Sequence, residues 1–276
     1  MLPALPARSS SGCKVMKGIH TRHRSRRWAA LLCALLPALA AAVPSGTPLR
    51  VAIGETKAPY VMAEEQRGLE YELVTAALRA AGYQPQVSFA PNKRAQQWLA
   101  AGRVDAAIAN DGGYLSDPYI TYQNAAITLC RRQLRLDAVP ELGRYRVAAF
   151  QNARRFLGPD YAAMAAGNPD YVEQSPQITL NRLLYSGRAD VAVSDINVFL
   201  QLNDELGPGL DTAPSLCPFA LFPPTPYRLA FHDATARDRF NQALRQLGQQ
   251  GFYEALAKRY RLPAPQGRPW FKPALR

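Results

Sequence analysis

Histidine is scarce in this chain: three in 276 residues. His20 and His23 lie in a basic amino-terminal stretch, so the rest of the sequence holds only His232, just after an apolar strand pattern. One such imidazole leaves almost no room for a Ser–His–Asp triad or a His-based metal site. Cysteine is nearly as sparse. Cys13 and Cys33 share the amino-terminal stretch, and Cys130 and Cys217 are the other two. They form no C-x-x-C pair and have no neighbouring histidine, which argues against zinc. There is no G-x-S-x-G and no phosphate-binding loop, and Asp111-Gly112-Gly113 reads as a turn. Aromatic residues make up 9% and are not interleaved with the basic ones. The formal charge of +12 therefore does not mark a nucleic-acid-binding surface.

Residues 1–42 contain no acidic side chain and seven of the 33 basic ones. That leaves 26 basic against 21 acidic, a balance of +5. "RHRSRRWAALLCALLPALAAA" runs from a basic block through an apolar stretch, broken by Pro37, to small residues. This is the layout of a secretory signal peptide, with an A-x-A site predicting cleavage near Ala42; the apolar run is short for a membrane span. Met16 is an alternative start to Met1, and a retained anchor is the competing reading of the segment. Export to an oxidising compartment makes a Cys130–Cys217 disulfide the natural expectation, set against two separately buried thiols. Cys130 lies in the segment "NAAITLC" that leaves the first lobe, and Cys217 in the Pro-rich segment "SLCPFALFPPTPYRLAF" that leads back from the second; if these two crossings run side by side, both cysteines fall at the hinge.

One phrase is written twice: "LAAGRVDAAIAN" from Leu99 and "LYSGRADVAVSD" from Leu184. Each closes a β-α-β-α-β pattern. The first runs through "LRVAI", a helix after Gly68, "QPQVSFA", a helix with Asn92 as expected N-cap, and "VDAAIA". The second runs through "YRVAAF", a helix, "DYVEQ", "PQITLNRLLYSG" and "ADVAVS". This predicts an α/β protein of two lobes, each a mostly parallel sheet flanked by helices, with a ligand cleft between them. The two glycines read as helix caps, and Arg103, Arg188, Asp105 and Asp190 as local turn stabilisers. The expected division is 43–132 for the first part of lobe one, 133–225 for lobe two, and 226–276 for the completion of lobe one and a tail. Ligands of open α/β sheets bind beyond the carboxyl ends of the strands. Asn110 and Asp195 are thus expected to face one another across the cleft.

"LRVAIGETKAPY", "GLEYELVTAALRAAGY", "LAAGRVDAAIAN", "LSDPYI" and "RFNQALRQLGQQGFYEALAKRY" together resemble the extracytoplasmic solute-binding proteins of family 3. The resemblance covers nearly all of 49–260 and implies a type II periplasmic-binding-protein fold. It implies a monomer that delivers an amino acid or related cationic or zwitterionic solute to an inner-membrane ABC permease. No cofactor, metal or nucleic acid is implied. The implied ligand-binding residues are Glu55, Lys57 and Tyr60 after the first strand, and Asn110, Asp111 and Gly112 after "GRVDAAIA". Lobe two adds Asn152, Arg154 and Arg155 in "FQNARR", where the family uses backbone N–H groups at a helix start. Asp195 matches the carboxylate that commonly receives the ligand's ammonium group; its competing role is helix N-cap of "INVFLQLN". The family's carboxylate-clamping Arg is missing between "NDGG" and "YLSDPY". Arg154 or Arg155, and more distantly Arg94, are the candidates to replace it, against a solvated helix face. Tyr60, Tyr114 and Tyr119 are candidates to pack on the ligand, with at least two expected in the core.

The expected function is binding, not catalysis. The alternatives are a sensory or accessory binding protein and a dehydratase-like enzyme on the same scaffold, with a carboxylate or lysine mechanism through Glu55, Lys57 or Asp111.

Overall fold

The computed structural model describes residues 46–274, so the expected signal peptide, with Met16, Cys13, Cys33 and the Ala42 site, lies outside the described residues. The chain begins with β1 (Thr47–Ile53), α1 (Leu69–Ala80), β2 (Tyr83–Phe89), α2 (Asn92–Ala100), β3 (Ala106–Ile108), β4 (Tyr114–Leu115) and β5 (Ile120–Tyr122). Next come β6 (Asn124–Leu129), β7 (Val147–Phe150), α3 (Ala153–Phe156), α4 (Pro159–Gly167), β8 (Tyr171–Gln174), α5 (Ile178–Tyr185), β9 (Val191–Asp195), α6 (Ile196–Asn203) and β10 (Leu216–Phe219). It returns through β11 (Thr225–Tyr227), β12 (Leu229–Phe231), α7 (Ala234–Gln249) and α8 (Phe252–Arg259).

Two five-stranded sheets result, ordered β2-β1-β3-β12-β4 and β8-β7-β9-β6-β10. In each, four strands point one way and the fourth in order, β12 or β6, opposes them. The mostly parallel, helix-flanked, two-lobed reading of the sequence therefore holds. The second sheet is buried on both faces: Val147, Ala149, Val191 and Val193 pack to one side, and Ala148, Ala192 and Ile127 to the other. Continuous apolar runs such as "VAVS" are what such a position demands.

Several boundaries differ from the sequence reading. Pro91, extended at φ −50° and ψ 138°, is the N-cap of α2, so Asn92 is the first helical residue and caps nothing. "NAAITL", expected to open an extended connection between the two units, pairs with β9 and β10 in the second sheet. The first crossing therefore lies at Gln123 rather than near residue 132. The Pro-rich return segment contributes three short strands, and β11 pairs with β5 to set the crossings side by side.

The duplicated phrase builds the same device twice. Gly102 and Gly187 take positive φ, 66° and 71°, and close their helices; the next amides, of Arg103 and Arg188, donate back to Trp98 and Leu183 carbonyls. Each aspartate then fastens the first strand of its own β-α-β-α-β unit, β1 at Arg50 and β7 at Arg146 just before it. Asp105 accepts from the Arg50 amide and guanidinium (2.8, 3.1 and 2.7 Å), and Asp190 from those of Arg146 (3.1, 3.1 and 2.7 Å). The Arg50 and Arg146 hydrogen bonds hold both carboxyls below their ordinary pKa against the opposing pull of burial. The copies differ in exposure. The Asp190 side chain is 9% exposed and also meets Arg132, whereas that of Asp105 is 41% exposed. Asp190→Ala is therefore expected to cost about 2 kcal/mol, and Asp105→Ala clearly less. Urea unfolding of both variants checks the order; an equal or reversed order refutes the exposure argument.

Cys130 and Cys217 form a disulfide, with Cα atoms 5.0 Å apart. It does not sit at the hinge. Asn124 pairs with Asp195 at the cleft end of the sheet, and β6 runs away from there toward Leu129. Six residues of strand carry Cys130 roughly 20 Å from that end. The bond instead fastens the edge strand β10 to β6 at the far end of the second lobe.

Candidate functional site

The first wall of the site comes from the loop after β1. Gly68, at φ 120°, brings its backbone so close to Tyr60 that a Cβ would meet the Tyr60 carbonyl oxygen at 2.4 Å. The first amides of α1, Leu69 and Glu70, donate to the Pro59 and Tyr60 carbonyls (2.9 and 2.8 Å). The helix start thus holds the loop, and Tyr60 is turned fully inward. Its ring stacks on Tyr122 with centroids 3.7 Å apart, and Tyr122 meets Tyr227 at 4.4 Å. Behind this stack, the buried Glu70 carboxylate accepts from the Tyr119 and Tyr122 hydroxyls (2.9 and 3.1 Å). Burial raises the Glu70 pKa, opposed by those two hydroxyls and by Lys57.

The second wall centres on Asp195, at the end of β9 and the start of α6. Its Oδ1 accepts from the Asn197 and Val198 amides (both 3.0 Å), the arrangement of a helix N-cap. Oδ2 accepts from the Gln123 amide at 2.8 Å. The Tyr60 hydroxyl, from the other lobe, lies 3.0 and 2.9 Å from the two oxygens and itself accepts from Asn197 Nδ2 at 3.0 Å. Burial pushes the Asp195 pKa up to about 6, against the pull of the Val198 amide, the Tyr60 hydroxyl and the Gln123 amide.

Between these walls lies a cavity of about 530 Å³. Lys57 lines it from the first lobe. Phe150, Gln177 and Asp195 are among the second lobe's contributions, and Tyr122, Phe222 and Tyr227 belong to the crossing segments. The position is the one expected for open α/β sheets, because Phe150 and Asp195 end parallel strands. The lining is mostly aromatic and aliphatic, with a few amides and hydroxyls. Lys57 Nζ sits 4.7 Å above the Tyr122 ring. It makes no ion pair among the described residues.

Of the residues expected from sequence, the structure brings Lys57 and Asp195 into the cavity wall and Tyr60 directly behind it. Glu55 is exposed and lines no part of it. Asn110 is also exposed and lines no part of it; Asp111 and Gly112 border a separate hollow of about 270 Å³ beside His232. Asn152 adopts a left-handed conformation and precedes α3, but its amide and that of Arg154 already donate to Glu173 (2.8 and 3.0 Å). Arg154 pairs with Glu173 and lies over Tyr171, and Arg155 lies over the ring of Phe156; neither lines the cavity. Arg94 is exposed on α2. No arginine lines the cavity, and the missing clamp is not replaced from these positions. Tyr119 is core, and Tyr114 is exposed beside Arg237. Sequence reading missed Tyr122, Tyr227 and Phe222. Their signal was position: "YITYQN" and "FPPTPY" are the two crossings, which form the floor of any cleft between the lobes.

No family model matches the sequence, and neither does any curated protein. Solved structures do match. The L-cystine solute receptor of Neisseria gonorrhoeae, in its unliganded open conformation, is 16% identical, with a TM-score of 0.59 over 79% of this chain and 93% of that one. MxaJ from Methlophaga aminisulfidivorans MPT is 16% identical, with a TM-score of 0.59 over 78% and 99%. A histidine kinase sensor domain with similarity to periplasmic binding proteins is 19% identical, with a TM-score of 0.53 over 79% and 97%. The chain has the two-lobed fold of the periplasmic binding proteins. At these identities the likeness is one of architecture. Among the described residues, no helix is long and apolar enough to cross a membrane.

Proposed function

We propose that the protein is a periplasmic solute-binding protein that captures a small molecule between its lobes and delivers it to an ABC importer. The observation that supports this best is the interlobe cavity, large enough for a small solute and walled by both lobes and both crossings. Its groups are suited to holding a ligand. The one carboxylate in the wall caps a helix, and the lysine rests on a tyrosine ring. The sequence supports export through the presequence at residues 1–42. The structural likeness to an L-cystine solute receptor agrees with capture. The likeness to a histidine kinase sensor domain supports a second reading, in which the closed protein signals to a receptor.

Capture is tested by a thermal-shift screen over amino acids, polyamines, organic acids, aromatic acids and sugars, with calorimetry and small-angle scattering on each hit. One saturable site and a more compact particle on binding are expected. Turnover of a hit, or no response to any class, defeats the proposal. Loss of uptake of the hit in a deletion strain separates delivery from signalling.

A further inference from the structure

The charged and polar groups around the cavity are unequally satisfied. Asp195 already receives four donors: the Tyr60 hydroxyl and the amides of Gln123, Asn197 and Val198. The amides before and within α3 are taken by Glu173, which the Tyr171 hydroxyl also supports at 2.9 Å. Glu70 holds two tyrosine hydroxyls and lies behind them. The carboxylates and the backbone amides are thus matched within the chain. The Lys57 side chain makes no hydrogen bond or ion pair among the described residues: its ammonium faces the cavity over the Tyr122 ring, near enough to Glu70 and Asp195 to favour their charged forms. The rest of the lining is flat and apolar. Tyr122 is stacked on Tyr60 and packed against Tyr227, and Tyr227, Phe150 and Phe222 carry the aromatic lining onward. Phe156 also lines the cavity; it is 66% exposed, with the Arg155 guanidinium over its ring.

We propose that the cavity takes a planar aromatic solute bearing one anionic group, its ring against Tyr227, Phe222 and Phe156 and its anion at Lys57. Tyr60 is the specificity residue that denies Asp195 to amines. This rests on the reading of the cavity as a solute site and names the class of solute. Asn124, Gln177 and Thr225 supply the remaining hydrogen bonds at the ring's edge. An ammonium group finds no vacant acceptor pair on Asp195 while the Tyr60 hydroxyl spans both oxygens. It also meets a like charge in Lys57, and a buried unpaired charge is strongly disfavoured.

The test is calorimetry at neutral pH with benzoate and indole-3-acetate, their uncharged amides, and the amines benzylamine and tryptamine. The expected order is acid over amide by at least tenfold, with no measurable amine binding. In Lys57→Met the preference for acid over amide should collapse to less than threefold. In Tyr60→Phe, whose ring still fills its place, amine binding should rise at least tenfold over the wild type. Amines binding the wild type as well as the acids do, or an unchanged acid preference in Lys57→Met, overturns the proposal. If these aromatic probes fail while an amino acid, polyamine or sugar binds, the solute class is wrong and capture stands. If no class binds, capture itself is wrong. Lys57 is exposed, so its variant keeps the test available should Tyr60→Phe fold poorly.

Discussion

Replacing Cys130 and Cys217 by serine is expected to lower the unfolding free energy by about 4–5 kcal/mol. The bond closes a loop of 87 residues, and the chain-entropy model assigns about that much to restricting an unfolded chain over such a length. Native structure adds a local reason. β10 is an edge strand of four residues, held in the sheet only by β6, with Leu216 opposite Leu129 and Cys217 opposite Thr128. Without the bond this edge is free to fray, and the chain behind it leads directly into the crossing and the cavity floor. Ligand-induced closure should be unaffected, since both sulfurs belong to the second lobe. Guanidinium unfolding of the oxidised wild type and the double serine variant measures the loss. A difference below 1 kcal/mol would show that β10 is held by its packing alone.

Asp195→Ala is expected to be the most damaging single change in the cavity wall, at about 3 kcal/mol. It removes an N-cap, which typically costs about 1 kcal/mol, and it orphans the buried Tyr60 hydroxyl and Gln123 amide, each worth roughly 1–3 kcal/mol. Part of that loss is offset, because the wild type bears the cost of an ionised carboxylate in a buried place. The same cost gives the protein an uncommon pH response. Unfolded, this carboxyl titrates near 3.8; folded, it titrates at about 6. Between those values the folded state binds the extra proton, so its contribution to stability declines as pH rises from about 4 to 6 and is level above that. The total is about 3 kcal/mol. Asp105 and Asp190 act in the opposite sense at lower pH, since their pKa values lie below 3.8 and their stabilisation disappears only as pH falls through that range. Asp195→Asn should reduce the slope between pH 4 and 6, leaving the part that belongs to Glu70, whose pKa burial also raises, and the more acidic limb. Denaturation curves at half-unit intervals decide it, and a slope unchanged in Asp195→Asn would assign the response to another group.

The sequence made the lobes legible because their periodicities are strong. Leu69, Leu73 and Ala77 mark α1, and Leu180 and Leu184 mark α5, as unambiguously as "VAVS" marks a strand buried on both sides. It also exposed the duplicated phrase, whose physical content is a helix stop followed by a carboxylate that grips the first strand. The cavity was harder to read. Its floor comes from Tyr122, Phe222 and Tyr227, which lie about a hundred residues apart and share no local pattern; only the pairing of β5 with β11 brings them together. The candidate charges failed as a guide for a related reason. Asp195 and the α3 amides look available in one dimension, but their partners Tyr60 and Glu173 are assigned by tertiary contact. No periodicity announces that a hydroxyl 135 residues away will occupy a carboxylate.

The return of the chain to its first sheet has a consequence for the order in which the molecule is completed. The second lobe is continuous from Asn124 to Phe222, with its disulfide inside that stretch. The first lobe waits for β12, α7 and α8, and then for the tail, where the Thr121 amide donates to the Phe271 carbonyl and the Phe271 ring enters the core. As a chain lengthens from its amino end, domains fold as their last residues arrive. A chain that has emerged as far as Phe222 therefore presents a finished second lobe beside a first lobe still hollow where Phe231, Phe240, Tyr253 and Phe271 belong. The part made first is the part that matures last, and its apolar face stays open to chaperones or to misassembly for that interval.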